Sequence, residues 1–174
     1  MPTTSPFSSF VRDVPDFPNA GILFRDITPL LANAEAFGEA VTAMAQPVLT
    51  LQPTHVLGLE SRGFIFGSAL AQKLGIGFVP ARKPGKLPMA TYKEAYGLEY
   101  GSDALEIHTD AFKPGDRVLI VDDVMATGGT AAAAQRLVQR TGAQAVALTV
   151  FIELTSLPGR EKVQDLPVFS VLRY

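Results

Sequence analysis

Three short runs of the chain are apolar at nearly every position, and each ends at polar residues or glycine. The runs are His55–Leu59, Val118–Val121 and Ala145–Ile152. A strand covered on one face alternates apolar and polar residues, whereas a strand covered on both faces is apolar throughout. The pattern therefore predicts three buried strands of a parallel sheet.

The segments around these runs have the composition of helices. Gly63–Leu74 is rich in small and apolar residues and is followed by Gly75, while the alanine-rich Gly129–Arg140 ends before Gly142, a natural C-terminal cap. Ala34–Leu51 predicts a further helix. Strands that alternate with helices indicate an α/β fold with right-handed crossovers. We therefore expect a central, mostly parallel, twisted sheet flanked by helices.

Residues 83–101 fit neither the helical nor the strand period. The segment contains three glycines and two prolines and is long for a connection without regular structure. Four basic residues lie close together here, namely Arg82 (directly before the segment), Lys83, Lys86 and Lys93. A solvated loop is one interpretation, and a flexible lid that closes over a highly charged anion is the other.

Composition narrows the class of protein. The chain has 174 residues, no cysteine, and 15 basic against 17 acidic residues, so its net charge is −2. This length predicts a single domain, 1–174, and the lack of cysteine excludes a disulfide scaffold, a thiolate metal site and a cysteine nucleophile. The near-neutral charge argues against nucleic-acid and membrane-surface partners. Neither a signal peptide nor a membrane-helix pattern is found, which favours the cytoplasm.

The strongest candidate for chemistry follows the second apolar run. Asp122 and Asp123 come at the carboxyl end of that strand, where open α/β sheets bind ligands. The next residues supply small side chains, backbone N–H groups and two hydroxyls at a helix N-terminus, which suits a phosphate. They are Ala126, Thr127, Gly128, Gly129 and Thr130. The alternative is a tight acidic turn in which Thr127 or Thr130 caps the helix.

A ligand with a sugar and a phosphate reconciles the acids with the phosphate-binding loop. Asp122 and Asp123 can accept hydrogen bonds from a ribose diol while the loop holds the 5′-phosphate. Neither a Gly-x-Gly-x-x-Gly after a strand nor a Gly-x4-Gly-Lys-Ser/Thr motif is present, so an ordinary dinucleotide or P-loop site is not indicated.

The segment Val118–Thr130 resembles the phosphoribosyl-pyrophosphate signature of the type I phosphoribosyltransferase family. Further stretches are similar to the adenine-specific branch of that family: residues 17–27, 60–64, 82–88 and 98–107. The resemblance extends from about Phe17 to Tyr174. It implies the fold of that family, with a small N-terminal hood at residues 1–33 and a lid at residues 83–101 within one domain.

The resemblance also implies a reaction: adenine and 5-phosphoribosyl 1-pyrophosphate (PRPP) give AMP and pyrophosphate, as in purine salvage. Mg²⁺ is implied as a cofactor held mainly through PRPP, pyrophosphate and water, with no direct protein ligand. A cytoplasmic homodimer that binds neither nucleic acid nor membrane is implied as well.

Residue by residue, the resemblance divides the site into three parts. Asp122, Asp123 and the 126–130 loop would hold the ribose and its phosphate, with the two acids stabilising positive charge on the sugar. The pyrophosphate would be held by Ser61, Arg62, Arg82, Lys83 and Lys86, with Tyr100 near the closing end of the lid. Without the resemblance, residues 60–63 can also be interpreted as a solvated loop between a strand and a helix that binds no anion.

The adenine would lie between an aromatic and an apolar side chain. By resemblance, Phe24 stacks on the base, backbone groups of Leu23 and Arg25 bind its edge, and Met125 faces its other side. Glu106 would approach a ring nitrogen and relay its proton. Without the resemblance, Phe24 is a core residue and Glu106 is a solvent-facing strand acid.

Two rival functions are considered. One is a phosphoribosyltransferase for another base, such as hypoxanthine, xanthine or orotate, against which Phe24 and Glu106 weigh. The other is a non-catalytic module that senses PRPP or nucleotides, against which the basic lid weighs.

Overall fold

The computed structural model describes residues 5–97, 102–163 and 165–174, with only the backbone of Ser102. The chain divides into two compact units, residues 1–43 and 44–174. Within the described ranges, no helix combines the length and the apolar character needed to cross a membrane.

The first unit contains a short antiparallel hairpin. Strands β1 (Arg12–Pro15) and β2 (Leu23–Asp26) pair in register from Arg12 with Asp26 to Pro15 with Leu23. A 3-10 helix, Ser8–Phe10, precedes the hairpin, and α1 (Thr28–Ala32) follows it. Helix α2 (Ala34–Ala45) comes next and continues across the division of the chain.

The second unit is built on a five-stranded sheet in the order β4-β3-β7-β8-β9, and every neighbouring pair is parallel. Its helices and strands are β3 (His55–Leu59), α3 (Gly63–Leu74), β4 (Gly77–Ala81), β5 (Thr91–Gly97), β6 (Ser102–His108), β7 (Arg117–Met125), α4 (Gly129–Arg140), β8 (Gln144–Glu153) and β9 (Val168–Arg173). 3-10 helices occupy Gln46–Leu51 and Gly159–Val163. The predicted α/β fold with a parallel sheet flanked by helices is confirmed.

The direction of the crossovers determines where a ligand can bind. The connection from β3 to β4 runs to one side of the central pair β3–β7, and the connection from β7 to β8 runs to the other. Because such crossovers are right-handed, α3 and α4 cover opposite faces of the sheet. The carboxyl ends of β3 and β7 therefore flank a topological switch point, where open sheets form a crevice.

Two predicted boundaries are wrong. Strand β7 does not end at Val121 but continues to Met125, because β8 keeps pairing with it as far as Glu153. The helix expected over Ala34–Leu51 ends at Ala45, and a 3-10 helix follows in which Pro47 lies in the first turn. Proline lacks the N–H of the α-helical ladder and its ring clashes with the preceding turn, so the α-helix cannot continue.

The expectation of an irregular segment over residues 83–101 is also wrong in part. Strand β5 pairs antiparallel with β6, from Thr91 with His108 to Gly97 with Ser102. Helix α4 fixes this hairpin, because Arg136 and Arg140 donate to Glu94 at 3.0 and 3.2 Å. Tyr100 lies outside the described residues, and closure of the segment as a lid stays a prediction.

Helix α3 begins in close contact with β7. A Cβ added at Gly63 would lie 2.8 Å from the carbonyl oxygen of Val121 and 3.0 Å from Oδ1 of Asp122. Glycine at this position therefore sets how closely the two elements approach.

We predict that Gly63→Ala lowers the free energy of unfolding by about 1–3 kcal/mol, because backbone atoms of β7 cannot move aside cheaply. Gly38→Ala is the matched control, since Gly38 is also helical and its added Cβ would meet nothing within 4 Å. The control should gain up to about 1 kcal/mol through helix propensity. Urea unfolding measures both, and equal effects would contradict the close contact.

Candidate active site

A cleft opens at the carboxyl ends of β3 and β7, at the predicted switch point. Its volume of about 380 Å³ is in the range of small-molecule sites. Its lining residues come from the loop after β3, from the loop after β4, from β5, and from the end of β7 with the start of α4: Glu60, Ser61, Arg62, Lys83, Tyr96, Asp122, Asp123, Val124, Ala126 and Thr130. Members of the predicted acidic pair, of the 126–130 loop and of the predicted pyrophosphate-binding residues therefore meet in one cavity.

The two neighbouring aspartates have different environments. Asp123 is buried at 4% exposure, and Nε of Arg62 donates a hydrogen bond to its Oδ2. The backbone N–H of Asp123 donates to Oδ1 of Asp122 at 2.8 Å. Burial and the adjacent charge of Asp123 raise the pKa of Asp122 well above its usual range. The pair thus has one ion-paired carboxylate and one that protonates more readily.

The 126–130 loop turns sharply into α4 at a glycine. Gly128 has φ +76° and is the N-cap residue, with no side-chain hydrogen bond at this cap. The alternative in which Thr127 or Thr130 caps the helix is therefore wrong. A second cavity of about 100 Å³ lies against this loop, with lining that includes Thr127, Gly128 and Thr130. Its position at a helix N-terminus suits an anion.

Glu60 organises the basic side of the cleft. Its Oε2 accepts the backbone N–H of Lys83 at 2.7 Å and Nε of Arg82 at 3.3 Å. Burial favours a higher pKa for Glu60, but these hydrogen bonds and the nearby cations hold that pKa below its ordinary value. Nζ of Lys83 forms an ion pair with Asp103 and lies 3.4 Å from the hydroxyl of Tyr96. Arg82 and Lys83 therefore each form an ion pair with an acidic side chain.

Several predicted residues lie away from the cleft lining. Lys86 is exposed. Glu106 is buried at 9% exposure, and its Oε2 accepts the N–H of Gly85 at 3.2 Å. Its backbone bridges to Arg82 through hydrogen bonds of 2.9 and 2.7 Å. Met125 is buried and contributes to the smaller cavity. These contacts give Glu106 a structural partner, and its proton-relay role stays a prediction.

Three of the four residues predicted to bind adenine belong to the first unit, and the fourth, Met125, belongs to the second. Leu23, Phe24 and Arg25 lie on β2, where Leu23 is 45% exposed and the other two are half-buried. The ring of Phe24 packs edge-on against Phe17, with centroids 5.1 Å apart. Their contact with a base stays a prediction.

Sequence reasoning missed three residues around the cleft: Glu60, Tyr96 and Asp103. Glu60 belongs to a stretch already recognised as similar to the family, but no role was assigned to it. In the folded chain, half-buried and exposed positions of β5 alternate from Tyr92, and Tyr96 is half-buried. Apolar and polar residues do not alternate in this segment of the sequence, so its periodicity gave no signal for Tyr96.

A buried acid at the end of β8 connects the elements beside the 126–130 loop. Glu153 is 3% exposed and accepts both Nε and Nη2 of Arg160, at 2.5 and 2.8 Å. Ser170 donates to the same carboxylate at 2.6 Å, and Arg173 lies 3.4 Å from it. The hydrogen bonds from Arg160 are the main reason that the pKa of Glu153 falls from 4.5 to about 2.

Comparison with known proteins agrees with this geometry. Residues 29–172 match the model of the phosphoribosyl transferase domain. An adenine phosphoribosyltransferase of Carboxydothermus hydrogenoformans is 56% identical over 95% of this chain and 97% of its own length. The chain belongs to the adenine phosphoribosyltransferase family.

Solved structures of the family have the same fold. The adenine phosphoribosyltransferase of Thermoanaerobacter pseudethanolicus superimposes with a TM-score of 0.93 at 45% identity, covering 95% of this chain and 96% of that one. The enzyme of Saccharomyces cerevisiae, complexed with an imino-altritol bisphosphate and adenine, has a TM-score of 0.90 at 42% identity over 94% of each chain.

Among the side chains that the structure describes, no three histidine, cysteine or acidic residues group as a candidate metal site. The acidic residues of the cleft are instead engaged by Arg62, Arg82 and backbone N–H groups.

We predict that the stability contributed by Glu153 is lost in acid. Its pKa is lower in the folded than in the unfolded chain, so the contribution is complete above pH 4.5 and disappears as the pH falls towards 2. At pH 7, Glu153→Gln should lower the free energy of unfolding by on the order of 2 kcal/mol, allowing for solvent screening of the half-exposed Arg160.

Urea unfolding at pH 7, 4 and 3 measures this, and the gap between wild type and variant should narrow in acid. Glu161→Gln removes an exposed carboxylate from the adjacent 3-10 helix and is the matched control. A gap that stays constant from pH 7 to pH 3 would refute the assignment.

Proposed function

We propose that the protein is an adenine phosphoribosyltransferase, which transfers the 5-phosphoribosyl group from PRPP to adenine and releases AMP and pyrophosphate. One observation carries the proposal: a single cleft joins paired carboxylates, a phosphate-type loop and basic side chains at the switch point of the sheet. The 56% identity to a named adenine phosphoribosyltransferase supports the same conclusion.

PRPP has three parts that match three parts of the cleft. The 5′-phosphate is held by Ala126, Thr127, Gly128, Gly129 and Thr130, where the dipole of α4 favours an anion. The ribose hydroxyls donate to Asp122 and Asp123. The pyrophosphate is bound by Ser61, Arg62, Arg82, Lys83 and Lys86. The charges of the cleft support this order, since the pyrophosphate meets basic side chains, the 5′-phosphate meets the N-terminus of α4 and the ribose hydroxyls meet carboxylates.

The reaction replaces one substituent at the anomeric carbon of the ribose. A ring nitrogen of adenine forms a bond to this carbon, pyrophosphate leaves with the bonding electrons, and the ring nitrogen loses its proton. Positive charge develops on the sugar during the exchange. Asp122 and Asp123 stabilise that charge electrostatically as carboxylates, because both are fixed before the reaction begins. Positive charge on the sugar favours the ionised form of Asp122 and so opposes the effects of burial and of Asp123, which raise its pKa.

Type I phosphoribosyltransferases generally use Mg²⁺ together with PRPP, and the donors of this cleft fit that ion. Mg²⁺ prefers oxygen ligands and keeps several waters, so substrate oxygens and water would supply most of its ligands, and Asp122 and Asp123 would be the nearby acids able to accept hydrogen bonds from such waters. When bound, the ion neutralises charge on the pyrophosphate leaving group.

The base is bound by Phe24, Leu23 and Arg25 on one side and by Met125 on the other, and Glu106 relays its proton. This part of the proposal rests on family similarity. The same similarity supports a cytoplasmic homodimer, a hood formed by residues 1–33, and a lid over residues 83–101 that includes Tyr100.

Formation of nucleotide from PRPP, Mg²⁺ and a panel of bases tests the proposed function by absorbance. Adenine should be converted, and hypoxanthine, xanthine and orotate should not. Conversion of another base in place of adenine would refute the specificity. Binding of PRPP without turnover of any base would favour a nucleotide-sensing module.

We predict that Asp123→Asn lowers kcat by about 10²-fold or more, because it removes charge next to the developing positive centre. Thermal stability should change far less, as the amide keeps the shape of the side chain. Asp110→Asn is the control, since Asp110 is an exposed acid outside the cleft lining. If Asp123→Asn loses stability in parallel with activity, Asp123 has a structural role and not a catalytic one.

Glu106 is tested by two variants. Glu106→Gln keeps an oxygen that can accept the N–H of Gly85 but cannot relay a proton, whereas Glu106→Leu removes both properties. If Glu106 relays the proton, both variants lose kcat by about 10²-fold and keep most of their thermal stability. Full activity of the Gln variant would show that only the hydrogen bond to Gly85 matters.

A further inference from the structure

The backbone of Gly159 lies directly against the 126–130 loop. A Cβ added at Gly159 would be 2.5 Å from the carbonyl oxygen of Ala126 and 3.2 Å from Cγ of Met125. In the opposite direction, a Cβ on Gly128 would overlap the carbonyl of Gly159. Neither glycine can therefore carry a side chain without displacing the other segment. The loop that turns into α4 thus rests on a second piece of backbone.

One side chain fixes that second piece of backbone. Arg160 follows Gly159 at the start of the 3-10 helix Gly159–Val163, and its guanidinium makes the two hydrogen bonds to Glu153. Bidentate pairing of this kind fixes direction as well as distance. Any shift of Gly159 must therefore bend or break the Arg160–Glu153 pair.

Glu153 is itself a fixed anchor. It is the register partner of Met125 at the end of the β7–β8 pairing, and its carbonyl accepts the N–H of Tyr174 at 3.0 Å. The N–H of Leu154 donates to the carbonyl of Met125 at 3.0 Å. The acid is therefore tied to the same strand end from which the 126–130 loop departs.

We propose that Arg160 is a positioning residue for substrate binding, which acts through Glu153 and the Gly159 backbone to hold the 126–130 loop in its phosphate-binding conformation. The proposal rests on the proposed function, because it takes this loop as the site of the 5′-phosphate. Arg160 contributes no atom to the lining of the cleft. A displacement of well under 1 Å at the loop is enough to weaken contacts that depend on backbone N–H geometry.

This role is selective for one end of one substrate. The 5′-phosphate contacts backbone N–H groups of the 126–130 loop, whose geometry is exacting. Adenine meets only the flexible thioether of Met125 at this end, and its other contacts, like those of the pyrophosphate, lie on other elements. Loss of the Arg160–Glu153 pair should therefore weaken PRPP and other ribose 5-phosphates while leaving the affinity for adenine nearly unchanged. General destabilisation of the fold would not discriminate between the two substrates.

Arg160→Gln and Arg173→Gln form a matched pair of variants. Both remove one arginine from the carboxylate of Glu153, but only Arg160 is next to Gly159. Arg160→Gln should raise the KM for PRPP and the Kd for ribose 5-phosphate roughly tenfold, with the KM for adenine within twofold of wild type. Arg173→Gln should leave all three constants near their wild-type values.

Calorimetric titration with ribose 5-phosphate, steady-state kinetics and thermal unfolding are the measurements. Equal changes of the constants in the two arginine variants, or equal loss of affinity for both substrates in Arg160→Gln, would overturn the proposal. If Arg160→Gln does not fold, Gly159→Ala decides, because it removes neither charged side chain and presses directly on the carbonyl of Ala126. An unchanged Kd for ribose 5-phosphate in Gly159→Ala would then overturn the proposal.

The titration also separates this inference from the proposed function. A wild-type protein that binds ribose 5-phosphate but makes no AMP refutes the proposed function, and the comparison of Arg160→Gln with Arg173→Gln remains decisive. A wild-type protein that does not bind ribose 5-phosphate refutes the positioning role itself.

Discussion

Strands β3 and β7 pair as far as Gly58 and Val121. Beyond these residues the two strands separate, and the cleft lies between them. β3 turns away through Glu60–Arg62 into α3, while β7 continues along β8 to Met125. Because of this divergence, Asp122 and Asp123 line the cleft together with the start of the loop before α4. The close contact of Gly63 with β7 keeps the two departing chains near enough to share one ligand.

The charges of the cleft are balanced before any substrate binds. Asp123 is paired with Arg62, Glu60 with Arg82 and the N–H of Lys83, and Lys83 with Asp103. Buried or half-buried charges are tolerated only when such partners are present. The cleft, like the whole chain, therefore contains nearly equal numbers of acidic and basic groups, and in the cleft most of these groups are paired.

The sequence predicts best where local pattern and tertiary environment agree. His55–Leu59 is apolar throughout because both faces of β3 are covered, and Gly75 ends α3 with φ +68° because glycine tolerates that conformation. Both elements have the predicted bounds. Strand β5 was missed because its polar residues contact α4 and the cleft, which only the folded chain brings near. The same reason hides Asp103, whose partner Lys83 is distant along the chain.

The candidate site also contains some residues that local sequence predicts and others that depend on tertiary contacts. Residues in one continuous motif, such as Asp122 and Thr130, are recognisable because strand, loop and helix follow directly in sequence. Glu153 and Arg160 have no recognisable motif, since their effect on the 126–130 loop passes through backbone contact with Gly159. Arrangements of this kind depend on packing, and a single sequence does not record them.

The ion pair between Lys83 and Asp103 has a consequence for turnover. A diphosphate bound by Lys83, as proposed above, would take its ammonium group from the carboxylate of Asp103, so binding would exchange one ion pair for another. The net gain in affinity is then smaller than a free lysine would provide. If Lys83 binds pyrophosphate as proposed, the same exchange helps the product to leave, because Asp103 can recapture Lys83 as pyrophosphate departs. The ion pair would then keep the cleft from holding its most highly charged product too tightly.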